Sequence, residues 1–361
     1  MRMNVTRTVT IHDVAREAAV STSTVSNVLN GRFDQMRPET TDRVRQVIVR
    51  LGYAPSTAAR QLKTGHAPVL GLIVPSVANP FWGAFAQSVE ETALTHGYQV
   101  LLCNAERDTA REQRYAAALW SHGARGLILG SSPLSFNHLA DFAARGMQIV
   151  AFDRQPRGAG GVIVDSVSVD SIGGMHLAVH HLITLGHRRI GFLSGPLRTV
   201  NRLDRLEGYR AALTEAGIMY DPALVWEGTA TRGFGDMEGT ELGRMGAADL
   251  LALAEPPTAL VAINDMYALG AYAGARDARR RVPDDLSIVG FDDIALAEIV
   301  TPPLTTVRHP LKELLRTAVG LLIGRIEGTR TGPPAHIVVP TELVIRGSTG
   351  RRTEKREPHA Q

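Results

Sequence analysis

The sequence predicts an α/β protein in which a small helix-turn-helix domain precedes a larger core of two lobes with parallel sheets. Three observations lead to this class. Residues 10–29 contain two short amphipathic helical segments joined by a tight turn. From Val69 onward, apolar runs of strand length alternate with helical stretches, as in parallel sheets covered on both faces. A chain of 361 residues is also too long for one average hydrophobic core.

The first helix is expected to begin after Thr10, because Thr10 and Asp13 have the spacing of a capping box. Ser21 is the candidate N-cap of the second helix. The outward side chains of that helix are short and neutral, which suits a helix in a major groove. The alternative for this stretch alone is an ordinary helical hairpin with a Ser/Thr-rich face. The candidate DNA-contacting residues of this region are Thr10, Thr22, Ser23, Thr24, Ser26 and Asn27.

A third helix is predicted to start at Pro38 and to end before Gly52. Its apolar residues recur at helical spacing and would close a miniature core with the first two helices; they are Val44, Val47, Ile48 and Leu51. Residues 1–52 are therefore predicted to form the helix-turn-helix domain. Residues 53–66 are too few and too polar to fold alone. They are either a plain linker or a segment that becomes helical when something supports it.

Polar and aromatic residues follow the predicted core strands. Carboxylates, amides and an arginine with a few aromatic rings are what a polyol or another small polar ligand needs. Any single Asp or Asn after a strand can instead cap the next helix, and Trp82 can equally belong to the core. The candidate ligand-binding residues at these positions are Asn79, Phe81, Trp82, Asp153, Arg154, Arg205, Asn264 and Asp292.

Charge is distributed unevenly along the chain. Residues 1–65 contain 10 Lys and Arg against 5 Asp and Glu, whereas residues 66–345 contain 24 against 29. A basic N-terminal region on an acidic body is expected if the N-terminus alone meets phosphate, although such asymmetry also occurs without a nucleic-acid partner.

Bulk composition excludes several classes of protein. The chain is 44% hydrophobic and 21% charged, with one cysteine, Cys103, so it has neither an internal disulfide framework nor a multi-cysteine metal site. No apolar run reaches membrane-spanning length, and the N-terminus lacks the apolar segment of a signal peptide. We therefore expect a cytoplasmic protein without a membrane partner.

The pattern V-T-I-x-D-V-A-x-x-A-x-V-S-x-S-T-V-S-x-V-L-N-G, ending at Gly31, resembles the helix-turn-helix of the LacI/GalR (lactose-repressor) family of bacterial transcription regulators. The match continues through Leu51-Gly52-Tyr53-Ala54-Pro55 and covers nearly all of residues 8–347. Ala19 departs from the family pattern, which usually has a turn glycine, and Ser56 departs from its asparagine.

The resemblance implies that residues 53–66 form a hinge helix that orders on operator DNA. Leu62 matches the leucine that wedges between base pairs in the minor groove, and Ala59 matches the small residue beside it. The resemblance also implies a periplasmic-binding-protein-like core, with the effector held between the lobes. Asp153, Arg205, Asn264 and Asp292 match effector contacts of the family, and Phe234 matches its aromatic platform.

We divide the core into an N-terminal lobe, residues 67–168 and 310–336, and a C-terminal lobe, residues 169–309 and 337–347. Residues 348–361 are expected to be a disordered tail. This tail has no leucine heptads, so we expect a homodimer without a tetramerisation coiled coil.

The resulting hypothesis is a DNA-binding transcriptional regulator, most simply a repressor. A small effector, a sugar or sugar derivative, would control its affinity for a pseudo-palindromic double-stranded operator. We predict no catalytic residue, metal ligand or cofactor, because no nucleophile, dinucleotide or phosphate-loop motif occurs in the sequence. The alternatives are a solute-binding protein of transport, which would need a signal peptide, and a sugar-modifying α/β enzyme, which would turn over its ligand.

Overall fold

The computed structural model of this chain describes residues 9–29, 36–53, 68–153, 164–228 and 239–352. The chain forms two compact units, residues 1–67 and residues 68–361, and each is described by itself.

The N-terminal unit contains three helices, α1 (Ile11–Glu17), α2 (Thr22–Leu29) and α3 (Pro38–Leu51). The predicted capping box is present: the Asp13 amide donates to Thr10 Oγ1 at 3.4 Å, and the Thr10 amide donates to Asp13 Oδ2 at 3.0 Å. The Thr24 amide donates to Ser21 Oγ at 3.1 Å, so Ser21 caps α2. Local hydrogen bonds therefore start both helices of the helix-turn-helix where the sequence predicts.

The turn between α1 and α2 places Ala19 at a φ of +50°, in the left-handed region. A side chain at such a φ costs about 1 kcal/mol relative to glycine, so this turn is strained. Gly52, at a φ of +61°, ends α3 without that cost. Of the four predicted apolar positions of α3, Val44 and Val47 are buried, and Ile48 and Leu51 are partly buried against them. The buried core of this unit consists of Val14, Ala15, Ala18, Val25, Val28, Val44 and Val47.

The first lobe of the larger unit is built on a six-stranded sheet in which every neighbouring pair is parallel. Its strands are β1 (Val69–Val74), β2 (Gln99–Asn104), β3 (Gly126–Leu129), β4 (Gln148–Phe152), β5 (Asp165–Val169) and β11 (His336–Val339), in the order β11-β5-β4-β3-β1-β2. Apolar clusters cover both faces of the sheet. The helices of this lobe are α4 (Pro80–Thr95), α5 (Thr109–Ser121), α6 (Ala140–Ala144) and α12 (Leu311–Ile326).

The second lobe has a similar sheet, in the order β12-β10-β9-β8-β6-β7, and only its edge strand β12 runs antiparallel among the described strands. Its strands are β6 (Ile190–Ser194), β7 (Val225–Glu227), β8 (Ala259–Ala262), β9 (Ser287–Asp292), β10 (Thr305–Arg308) and β12 (Glu342–Val344). Its helices are α7 (Ser171–Thr184), α8 (Val200–Glu215), α9 (Gly239–Leu251), α10 (Asp265–Asp277) and α11 (Leu296–Ile299). The structure therefore has the predicted two α/β lobes.

Strand β11 corrects one predicted boundary. Residues 337–339 were assigned to the C-terminal lobe, but His336 to Val339 pair in register with Ser166 to Val169 of the first sheet. The boundary was wrong because β11 is a short, half-exposed strand whose partner lies far away in the sequence.

The C-terminal segment corrects another expectation. Ser348 is fully buried, donates to the Ile288 carbonyl at 2.6 Å and accepts from the Thr305 amide at 2.8 Å. The Arg352 amide donates to the Leu185 carbonyl at 2.9 Å. Residues 348–352 are thus packed against the second lobe, because the Ser348 hydroxyl and the Arg352 amide form hydrogen bonds with backbone groups of this lobe. The rest of the expected tail lies outside the described residues.

No helix within the described ranges is long and apolar enough to cross a membrane.

Candidate functional site

The outward face of α2 carries the predicted base-contacting residues. Ser23 and Asn27 are exposed, whereas Thr22, Thr24 and Ser26 are half-buried. No charged residue occurs anywhere in this helix. Short hydroxyl and amide groups on an exposed helix can form neutral hydrogen bonds with base edges in a major groove.

Two of these predicted contacts also have a structural role. The Thr24 hydroxyl lies 2.9 Å from Ser21 Oγ, within the cap of α2. The Thr10 hydroxyl donates to Asp13 Oδ2 at 2.7 Å, so it belongs to the cap of α1. Asn27 is the amide on this face and is exposed, so it is the residue whose side chain is best suited to read a base directly.

Four predicted residues lie outside the described part of the chain. They are Ala59 and Leu62 of the predicted hinge, and the predicted effector contacts Arg154 and Phe234.

The remaining predicted effector residues come together between the two lobes. Asp153 directly follows β4, Asn264 follows β8, and Asp292 ends β9, so all three lie at carboxyl ends of parallel strands, where ligands of such sheets bind. Arg205 reaches the same place from α8. Together these residues line one cavity with Asn79, Phe81 and Trp82.

Arg205 is the residue of this cavity that connects the others. Its Nη2 lies 3.9 Å from Asp153 Oδ2 of the first lobe and 3.7 Å from Asp292 Oδ1 of the second. Its Nη1 donates to the Ile263 carbonyl, and its guanidinium lies 3.7 Å above the ring centroid of Phe291. A buried guanidinium held between two carboxylates and over a ring has little rotational freedom, so its fork is preorganised for a ligand.

Within the described part of the chain, three buried atoms of this cluster have no hydrogen-bond partner: Asp153 Oδ2, Arg205 Nε and His309 Nδ1. Most buried polar atoms in native proteins are hydrogen-bonded, so three such atoms around one cavity are a specific feature. Burial raises the pKa of the Asp153 carboxyl, and the nearby Arg205 guanidinium opposes that rise. The cavity therefore offers both donors and acceptors to a polar ligand.

The sequence reasoning missed His309. Its Nε2 lies 3.1 Å from Asp292 Oδ1, and its ring centroid lies 5.1 Å from that of Phe81. Burial, helped by the Arg205 charge, lowers the pKa of His309 to about 3, so the ring is neutral near pH 7. His309 directly follows β10, as the other site residues follow their strands. The run LTTVR is too short and too polar for the sequence to predict a strand there, so the position of His309 at a strand end becomes visible only in the structure.

The amides and aromatic residues of the site have double roles. Asn79 Oδ1 accepts from the Phe81 amide at 3.0 Å and caps α4, while Asn264 Oδ1 accepts from the Tyr267 amide at 3.1 Å and caps α10. Their NH₂ groups can still donate to a ligand. Trp82 is buried, packs edge-on against Phe81 with centroids 5.0 Å apart, and also lines the cavity. Asn79 and Asn264 therefore cap helices and also line the cavity, and Trp82 belongs to the core and also lines the cavity.

The lobes touch at the rim of this cavity. The Val200 amide donates to the Ser132 carbonyl at 3.1 Å, and the Asn201 amide donates to Ser132 Oγ at 3.3 Å. The cavity around Arg205 has a volume of about 20 Å³. Ligand pockets usually measure roughly 300–1,000 Å³. The structure therefore shows a closed arrangement that must open before a sugar-sized molecule can enter.

Two family models match this chain. The one described as "Bacterial regulatory proteins, lacI family" matches residues 10–56, and the one described as "Periplasmic binding protein-like domain" matches residues 179–349. The HTH-type transcriptional regulator DegA of Bacillus subtilis (strain 168) is 34% identical over 348 residues, which cover 94% of this chain and 98% of DegA.

Solved structures are similar over almost the same length. A complex of the transcriptional regulator CelR with cellobiose is 32% identical, has a TM-score of 0.68, and aligns with 94% of this chain and 99% of its own. The Lac repressor dimer bound to operator and the anti-inducer ONPF is 27% identical with a TM-score of 0.80, and the alignment covers 95% of this chain and all of the repressor chain.

Proposed function

This chain belongs to the LacI family of bacterial regulatory proteins, and on that premise we propose that a small carbohydrate bound between its lobes sets its affinity for operator DNA. The protein is a sequence-specific DNA-binding transcriptional regulator that acts as a homodimer and responds to a small effector. The structurally similar CelR is in complex with cellobiose, which supports the choice of a carbohydrate here.

The observation that carries the proposal is Arg205 between Asp153 and Asp292. Neighbouring hydroxyls of a sugar can donate to the carboxylate oxygens and accept from the guanidinium at the same time. The apolar face of a sugar ring can lie against Phe81 or Trp82, which line the same cavity. A flat purine would stack on the rings but has fewer donors for two carboxylates, so the donor and acceptor pattern favours a polyol.

A ligand at this place couples the lobes. Asp153 belongs to the first lobe, whereas Arg205 and Asp292 belong to the second, so a ligand that contacts all three stabilises the closed arrangement over any open one. The effector can shift DNA binding only by its different affinity for the two arrangements. We therefore propose that closure of the lobes on the effector is the step that changes affinity for the operator.

We also propose a surface for the homodimer. Strand β2 is an edge strand of the first sheet, and it exposes Leu101 and Leu102, which are 40% and 47% accessible. Leu94, near the end of α4, is 55% accessible. An edge strand with exposed leucines can pair with another chain, and we propose that a second copy of this protein covers these leucines.

The DegA relative is a transcriptional regulator, and we propose that this chain likewise leaves its ligand chemically unchanged. Incubation of the purified protein with a bound sugar, followed by chromatography of the sugar, tests this point. Any turnover would support the enzyme alternative.

The main experiment measures binding of the full-length protein to its own upstream DNA by fluorescence anisotropy, with and without a panel of monosaccharides and disaccharides. We expect specific DNA binding and a change of about tenfold or more with at least one sugar, as is typical of allosteric coupling. Specific DNA binding that no sugar alters, but that a nucleoside does, would contradict a carbohydrate effector.

A further inference from the structure

A second and larger cavity lies beside the closed cleft between the lobes. Its volume is about 380 Å³, and residues of both lobes line it: Glu112, Ser131 and His138 from the first, and Arg198 and Thr199 from the second. Arg107 lines this cavity and also the cleft at Arg205, so the two spaces are neighbours.

Glu112 is the unusual residue of this second cavity. It belongs to α5 and is fully buried. Its Oε2 lies 2.7 Å from His138 Nε2, but its Oε1 is buried without a hydrogen-bond partner. Asp108 Oδ1 accepts from the Ala110 and Arg111 amides at the start of α5, so it is Asp108 that caps this helix. A buried carboxylate oxygen without a donor is destabilising, and a ligand hydroxyl in the cavity would remove that cost.

Ser131 repeats the same feature on another element. It follows β3, is 2% exposed, and its hydroxyl has no hydrogen-bond partner. Both Glu112 Oε1 and Ser131 Oγ belong to side chains that line one cavity. Two unsatisfied buried groups at one cavity indicate a ligand with more than one hydroxyl.

The chemistry of the lining disfavours a metal ion and suits a sugar ring. Arg107 and Arg198 line the cavity beside the carboxylate, so their positive charges oppose a cation. Pro133 and Leu134 supply an apolar surface next to the hydroxyl and guanidinium groups. A polyhydroxylated ring with one apolar face matches this mixture of groups.

We infer that the effector is at least a disaccharide, with one ring at Asp153, Arg205 and Asp292 and the next ring in the cavity of Glu112 and Ser131. This inference rests on the carbohydrate effector proposed above. Specificity for the second ring then comes from Glu112, whose carboxylate accepts a hydrogen bond from one hydroxyl of that ring. Because the second cavity is already open while the first is closed, the second ring requires less movement of the lobes than the first.

Isothermal titration calorimetry on the full-length protein tests the inference with four disaccharides, cellobiose, maltose, lactose and melibiose, and with their component monosaccharides. We expect at least one disaccharide to bind about tenfold or more tightly than its own monosaccharides, because the second ring adds a hydrogen bond to a buried carboxylate.

Three variants then separate binding from folding. Glu112→Gln should weaken the disaccharide about tenfold and leave monosaccharide affinity unchanged. The single amide oxygen of Gln would keep the bond to His138 Nε2, and the NH₂ group left at the cavity cannot accept a hydrogen bond from the ligand hydroxyl. Ser131→Ala removes a hydroxyl that has no hydrogen-bond partner among the described residues, so thermal stability should stay near wild type while disaccharide affinity falls. Glu90→Gln, an exposed carboxylate on α4, is the matched control and should change neither.

The possible results separate the second-ring site from the proposed carbohydrate effector on which it rests. Monosaccharides that bind as tightly as disaccharides, or an unchanged disaccharide affinity in both Glu112→Gln and Ser131→Ala, would overturn the second-ring site and leave the carbohydrate effector standing. A protein that binds no sugar of either size would overturn the carbohydrate effector, and the inference with it.

Discussion

The guanidinium of Arg205 in the second lobe lies 3.9 Å from the carboxylate of Asp153 in the first lobe. This separation is too long for a hydrogen bond, and Asp153 Oδ2 indeed has no hydrogen-bond partner. The two opposite charges attract the lobes toward each other across the cleft, but no hydrogen bond joins Arg205 to Asp153. A ligand oxygen placed between them would gain the hydrogen bonds that the pair itself lacks.

Arg205→Ala should lower effector affinity about tenfold or more, because a hydrogen bond to a charged group contributes about 1.5–3 kcal/mol. Calorimetry with the sugar that alters DNA binding measures this. Operator affinity without effector should stay near wild type if the effector is an inducer. Arg210→Ala, on the exposed face of the same helix, is the control. Reduced thermal stability with unchanged effector affinity would instead assign Arg205 a purely structural role.

His309 should make the core less stable in mild acid. Its folded pKa of about 3 lies below the ordinary 6.5, so the unfolded chain binds the extra proton as the pH falls through 6.5. The stability that neutral His309 contributes is present above pH 6.5 and is lost toward pH 3. Urea unfolding at pH 7 and pH 5 should show a loss of about 2 kcal/mol in wild type relative to His309→Gln. An equal pH dependence in both proteins, with exposed His96→Gln as reference, would contradict this account.

Asn27→Ala should cost about 1–3 kcal/mol of operator binding and relax the preference at one base pair in each half-site, because Asn27 is an exposed amide on α2. Binding to a set of operators with single base changes measures the loss. Gln46→Ala, an exposed amide on α3, is the control. Equal weakening on every sequence would indicate a phosphate contact instead.

Leu62→Ala tests the predicted hinge, which lies outside the described residues. If Leu62 wedges between base pairs, the variant should bend operator DNA less and bind it more weakly, with effector affinity intact. Gel mobility of circularly permuted operator fragments reports the bend. Unchanged bending and specificity would mean that residues 53–66 are a plain linker.

Local patterns were sufficient for much of this protein. The caps of α1 and α2 at Thr10 and Ser21 follow from residues only a few positions apart. The strand ends that carry Asp153 and Asp292 could be predicted because buried parallel strands are continuous apolar runs. Short-range hydrogen bonds and hydrophobic periodicity determine such features, and both are visible in a sequence.

Tertiary structure alone decided the rest. His336 of β11 pairs with Ser166, and Ser348 bonds to Ile288, across 170 and 60 residues respectively. Glu112 and His138 likewise meet only because α5 and the segment after β3 pack together. Each residue in these pairs has an unremarkable local sequence. Long-range packing brings them together and decides which buried polar atoms find a partner, so no pattern within one segment could reveal the second cavity.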